Sequence, residues 1–340
     1  MLFQVEEAEV EAVGLPARAV FKAPVLLGAH VEPAPPPEGA GDLVDRIGLA
    51  VGVLVQGEFG VGRDKGLEIG AADRAGLLRR VLLGSLAAGM LCAATARPCF
   101  GETRDWKFSN SINYETGDFG TGTRSEILYV PFTLKRSWGA WDGSATVSLL
   151  QLRSSALVTN VGGSPVKVGR GRGSPVTTSY SGVGDTVLRG GYALVREGPG
   201  PFDLSLVAKL KIPTADESEG LGTGEFDEGV GVEFGKEVVP SWLTIVDLYY
   251  TLIGSPAGTD LDNQSAAAFG VAHTLGKGWT ATALCELSNP LVAGETAPAA
   301  LRGILDYKLD EQAHVFAGVL QGLSDGSPDV GLSLGGSYRF

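Results

Sequence analysis

Lys209 and Lys211 stand two residues apart, and charged residues recur at matching parity in neighbouring segments: Asp185 with Arg189, Asp227 with Glu233, Arg302 with Asp306. Side chains alternate between two faces of an extended chain, so each pair shares a face of its strand. Glu286, Lys308 and Arg339 extend the set along later segments. Charges of both signs inside a closed sheet can neutralise one another as ion pairs that fill the interior. They can also form a charged constriction that sorts solutes. Lys209 and Lys211 are the best candidates for a local positive field.

Other chemistry finds little support. The second and third histidines, His273 and His314, have no serine and acid beside them in the sequence, as a nucleophile system would require. His273 shares the apolar face of Phe269, Val271 and Leu275. Cys92, Cys99 and Cys285 form no zinc-type spacing. Asp216, Glu217 and Glu219 are acidic neighbours without the periodicity of a calcium loop. Gly222-x-Gly224 precedes no helix, which removes a nucleotide-binding reading. The expectation is no catalytic residue, no metal and no cofactor.

The elements that position these charges are strands. From Arg104 onward the chain divides into about twelve alternating segments, each near the nine to eleven residues of a tilted outer-membrane strand. They fall at 105–114, 124–134, 140–152, 183–195, 202–212, 226–236, 242–253, 264–275, 279–288, 299–309, 313–322 and 329–340. In 202–212, Phe202, Leu204, Leu206, Ala208, Leu210 and Ile212 oppose Asp203, Ser205, Val207, Lys209 and Lys211. The closing stretch sets Val330, Leu332, Leu334, Tyr338 and Phe340 against Gly331, Ser333, Gly335, Ser337 and Arg339.

The connections alternate long and short, as a barrel with both ends in the periplasm requires. The long ones are 115–123, 153–182, 213–225, 254–263, 289–298 and 323–328, against 135–139, 196–201, 237–241, 276–278 and 310–312. Trp138, Trp141, Phe202, Trp242, Trp279, Tyr307 and Phe340 sit near the short connections; Tyr114, Tyr180, Phe226, Tyr250 and Phe269 sit toward the long ones. Two aromatic girdles at the lipid boundaries have that distribution. The loop 153–182 carries Lys167, Arg170 and Arg172 among glycines, and reads first as a solvated loop. Folding inward and contact with anionic lipopolysaccharide are its alternatives.

Composition agrees. Fifty glycines, 44% apolar residues and only 19% charged ones suit strands with one side in lipid. A net charge of -12 argues against a general nucleic-acid partner. Arg79 and Arg80, a following apolar core and Ala94-Thr95-Ala96 have the anatomy of a secretory signal peptide over 77–101. Residues 1–76 show no sustained alternation. They read either as translated upstream sequence or as an unstructured leader removed with the signal.

Gly182-Val183-Gly184-Asp185, then Lys209-Leu210-Lys211-Ile212-Pro213-Thr214-Ala215-Asp216, then Gly222-Thr223-Gly224 before Phe226-Asp227-Glu228-Gly229-Val230-Gly231 form an ordered series. In this order the chain resembles the phenol meta-pathway degradation family of transporter-like outer-membrane β-barrel proteins, over roughly 106–340. The resemblance implies an outer-membrane barrel that admits aromatic or other hydrophobic compounds.

The expected architecture is all-β: a single closed antiparallel transmembrane barrel of about twelve strands over 104–340. Its expected function is passive or facilitated passage of small solutes. Expected partners are outer-membrane lipid, the solute, and the outer-membrane assembly machinery through the Phe340 strand. The rivals are a structural or adhesive barrel acting through its loops, a lipid-modifying enzyme, and a soluble periplasmic β-protein.

Overall fold

The computed structural model describes residues 106–119, 121–154, 158–161, 164–167, 177–256 and 258–340. The expected leader, the targeting segment, Arg170 and Arg172 lie outside these residues. The strands run β1 (Trp106–Gly117), β2 (Ser125–Trp138), β3 (Trp141–Ser154), β4 (Val158–Val161), β5 (Ser164–Lys167), β6 (Thr178–Val183), β7 (Thr186–Val195) and β8 (Asp203–Ile212). They continue with β9 (Asp227–Val239), β10 (Trp242–Leu252), β11 (Gln264–Gly276), β12 (Trp279–Ser288), β13 (Ala299–Lys308), β14 (Ala313–Gly322) and β15 (Val330–Arg339).

From β7 to β15 each strand pairs antiparallel with the next; β15 pairs with β1, β1 with β2, and β2 with β3. β6 and β7 follow one another along the same edge of β3 and return the sheet to β8. The sheet therefore closes with twelve strand positions in its wall. Closure leaves no edge, the condition for crossing lipid with strands.

The alternation expected from the sequence is the alternation of the wall. Leu206 is 46% exposed and Leu332 44%, both on the outer face. Arg189, Lys211, Asp227, Glu233, Glu286 and Arg302 are buried on the inner one. Charged residues at outward positions keep to the ends: Glu126, Arg153 and Glu228 toward the long loops, Arg136 and Lys236 toward the short turns. A charge at mid-height on the lipid side would cost about 2–4 kcal/mol.

The short connections are tight. Lys277 and Gly278 both take positive φ, 54° and 85°, the type I′ geometry whose twist matches paired strands. Around this end aromatic rings meet in pairs: Trp141 with Tyr192 and Trp279 with Tyr307, each with centroids 4.5 Å apart, and Trp242 with His273 at 4.2 Å. Arg136 stands 5.2 Å over the Trp106 ring. At the other end Phe226 and Tyr250 are exposed. These positions form the two belts at which amphipathic rings meet the headgroups.

Two expectations need correction. The fourth segment is not one unbroken strand from 183. It begins at Thr178 and shifts register by one residue at Gly184-Asp185, as the β3 partners change from Leu149↔Val183 to Thr146↔Val187. Such a bulge re-aims a side chain, and here it turns Asp185 into the lumen. Nor is the β3–β6 loop simply solvated. It holds the β4–β5 hairpin, in which Thr159, Asn160 and Val161 are buried. Val161 packs with Leu261 and Leu291 from two other long loops.

Candidate functional site

The lumen wall is the candidate site, and the strands bring its charges together in three groups. The largest spans β2, β3 and β7 to β10. One Arg189 guanidinium nitrogen donates to both carboxylate oxygens of Glu233, at 2.7 and 2.8 Å, and the other donates to Asp142. The Tyr249 hydroxyl donates to Glu233, and Lys135 lies 3.4 Å from Asp142. Lys209 sits 4.0 Å above the Tyr249 ring, a cation–π contact. Asp247 pairs in register with Glu233, so three carboxylates, Asp142, Glu233 and Asp247, face three cations, Lys135, Arg189 and Lys209.

The second group ties loops to the wall. The Lys211 ammonium reaches Asp227 at 3.0 Å and Asp185 at 3.2 Å, and donates to the Thr223 hydroxyl at 2.9 Å. The other oxygen of Asp185 accepts from Ala215 N–H, and that of Asp227 from Gly254 N–H. One cation thus anchors the β8–β9 loop (213–226) and the β10–β11 loop (253–263). Pro213 follows the last residue of β8, where its missing N–H costs the ladder nothing. In the loop, Asp216 caps a single 3-10 turn, Glu217–Glu219. The Ser218 hydroxyl, 2.6 Å from Asp216, holds that carboxyl below the usual range.

The third group pairs Arg302 with Glu286 through two hydrogen bonds, 2.7 and 3.2 Å. Glu115 on β1 is buried nearby and interacts electrostatically with both. Nearer the short turns Asp306 lies 3.0 Å from His314 Nδ1, while Lys308 pairs with Glu311 at the rim. His273 is on the lipid side, and its Nδ1 stands 3.1 Å from the Ser241 carbonyl oxygen, which accepts.

All eight lumen residues expected from the sequence therefore face inward: Asp185, Arg189, Lys209, Lys211, Asp227, Glu233, Arg302 and Asp306. Arg189 joins Glu233; Lys211 joins Asp185 and Asp227; Arg302 finds Glu286 instead of Asp306. Lys209 and Lys211 share a face but enter different groups. Sequence reasoning missed Lys135, Asp142, Asp247 and Glu115. Parity marks Lys135 and Asp142, because they alternate with outward Leu134 and Trp141. Asp247 is harder to see, since the inner face of β10 also carries Leu243, Ile245 and Tyr249.

A different wall faces the lumen between β14 and β1. Ser333 pairs with Asn113 and Gly318, Gly335 with Ser111 and Phe316, and Ser337 with Ser109 and His314. Serines and Asn113 line this seam, and the Phe316 ring lies over Gly335.

A closed strand cylinder with an apolar exterior, two aromatic belts and a polar interior is an outer-membrane β-barrel. Residues 106–340 match the family described as "Putative MetA-pathway of phenol degradation", and the chain belongs to it. Among solved structures it is similar to an outer membrane channel from Pseudomonas putida F1, at 12% identity and a TM-score of 0.55, over 71% of this chain and 97% of that one. It is also similar to the NanC porin, at 9% identity and a TM-score of 0.45, over 68% and 100% of the two chains. The CymD monoaromatic hydrocarbon channel gives 8% identity and a TM-score of 0.41, over 82% and 95%. The first of these likenesses is one of fold. No curated protein matches the chain.

Proposed function

We propose that this protein is a passive channel of the outer membrane for small solutes, aromatic and hydrophobic ones included. The observation that carries the proposal is the division of the lumen. Charges of the β3–β10 arc neutralise one another against the wall, while Ser109, Ser111 and Ser333 along the β15–β1 seam are small. A passage along the seam has hydroxyls to replace water and a charged arc to sort what passes. The phenol-degradation description of the family supports an aromatic solute. The selectivity role belongs first to Arg189, Glu233 and Lys209, with Lys211, Asp185 and Asp227 controlling the loops above.

Outer-membrane lipid and the assembly machinery are the other partners in this proposal. Phe340 exchanges backbone hydrogen bonds with Trp106, so the strand presented to that machinery is also the one that closes the wall. Nucleic acid has no part. Nor does catalysis: Asp306 and His314 are read as a hydrogen-bonded pair of the wall, although Ser337 stands opposite His314.

Single-channel recording in planar bilayers tests the proposal. Discrete ion-conducting openings are expected, with a reversal potential that moves toward anion preference in Asp247→Asn. A silent bilayer with correctly folded barrel would replace the channel with the adhesive reading. The buried loop cluster of Val161, Leu261 and Leu291 favours that alternative most.

A further inference from the structure

Along β2 and β3 the mouth of the barrel breaks the rule that holds below it. Toward the short turns, lumen-facing positions of β2 and β3 are polar: Thr133 and Lys135, opposed by Thr146 and Ser144. Toward the long loops they become Ile127 and Tyr129, opposed by Leu152 and Leu150. Lipid does not demand this, because lipid contacts only the outer face. With Phe119 from the β1–β2 loop (118–124), these four side chains enclose Leu221, which has no exposed surface.

Leu221 is not part of the wall. It stands on the β8–β9 loop between Gly220, at φ 69°, and Gly222, with a second left-handed glycine at Gly224. Its neighbours are held by backbone and hydroxyl contacts to the hairpin: Asn160 N–H to Gly220 O at 2.8 Å and the Thr159 hydroxyl to Gly222 O at 2.7 Å. An apolar side chain on a glycine-flanked loop thus fills an apolar recess at the mouth, on β2 and β3.

We propose that this recess is a binding site for a small apolar or aromatic solute, and that Leu221 is its occupant when solute is absent. The inference rests on the channel reading above and names the site at which solute is first held. An apolar ring that takes the place of Leu221 removes its own surface from water and keeps the recess filled. A hydroxyl-rich solute gains nothing there, since it would lose its water partners without replacement. The recess therefore discriminates by polarity, and the loop moves out as the solute moves in.

The test uses the full chain refolded in detergent micelles with 13C-methyl leucine, its folding verified by heat-modifiable gel mobility. Phenol is the probe and glycerol the control. Phenol is expected to shift the Leu221, Leu150 and Leu152 methyl signals saturably, and glycerol to leave them in place. Leu221→Ala should bind phenol at least threefold more tightly. A staple supplies a second variant, because a Cβ at Gly182 would lie 2.9 Å from Leu221 Cδ1. In a Cys92→Ser/Cys99→Ser/Cys285→Ser background, oxidised Gly182→Cys/Leu221→Cys should lose the phenol response in bilayer recordings and regain it on reduction. Unmoved Leu221 methyls, or phenol binding unchanged in Leu221→Ala, would overturn the site while wild-type conductance stands. Methyl shifts in a barrel that conducts no ions would instead retain the site and overturn the channel.

Discussion

The β7–β10 arc and the β15–β1 seam lie half a circuit apart in the wall and solve the same problem in opposite ways. Both must present a lumen face that tolerates water. The arc does so with full charges, each desolvated and matched: Arg189 has 2% of its side chain exposed and Glu233 8%, so neither can lose the other cheaply. The seam does so with serines, an asparagine and glycines, which need few partners and occupy little room. The arc is therefore rigid by electrostatics, while the seam relies on small polar groups that need few partners. That difference yields an ordered series of expected effects, largest where a partner would be stranded.

Arg189→Met heads the series. It leaves Glu233 and Asp142 facing one another without their shared cation, and removing one partner of a buried pair costs about 3–5 kcal/mol. Chemical unfolding of the refolded barrel in lipid vesicles should show the loss, together with a shift toward cation preference in conductance. Leu206→Arg comes next. It places a cation on the lipid side of β8, for about 2–4 kcal/mol, and leaves ion selectivity unchanged because the lumen is untouched. The same unfolding assay reads it, and a milder loss with unaltered reversal potential separates outer face from inner.

Gly231→Ala is third. A Cβ there would collide with the Tyr249 ring, which lies against the bare backbone of β9 and holds its hydroxyl on Glu233. Overpacking of this kind costs about 1–3 kcal/mol. Gly335 supports the Phe316 ring in the same manner on the other wall, so Gly335→Ala should cost a similar amount. A much smaller loss at Gly335 would mean that the seam yields where the arc does not.

The barrel was legible in the sequence for one physical reason. Lipid imposes a period of two on every strand it touches, and a single slip would turn Lys209 or Asp227 into hydrocarbon. Most strand ends follow, and so does the inward set of eight. What that rule does not reach is hidden from it. The Gly184-Asp185 bulge changes one register step without changing composition. The pairing of Arg302 with Glu286 depends on which inward neighbours are adjacent in the closed wall, which parity leaves open. Leu221 lies in a loop whose Asp, Glu, Ser and Gly content looks solvated; its burial comes from that loop folding onto Phe119 and onto the inner face of β2 and β3, with no periodicity of its own to betray it. Lys135 and Asp142 could have been taken from parity alone, since they continue the alternation of β2 and β3 to the turn at Gly139.

The smallest effect is the sharpest test of the comparison. Ser333→Ala removes a hydroxyl from the seam, where Ser333 stands level with Asn113 and Gly318 and no buried charge depends on it. Stability should change by no more than about 0.5 kcal/mol, as for substitutions away from special contacts. Conductance should nonetheless fall by a measurable fraction, because a passing ion or polar solute loses a hydroxyl that stands in for its water. Opposite results would reverse the roles of the two walls. If Ser333→Ala leaves current untouched while Lys209→Gln reduces it without a loss of stability, the path runs against the charged arc, and the pairs around Arg189 are its lining rather than its frame.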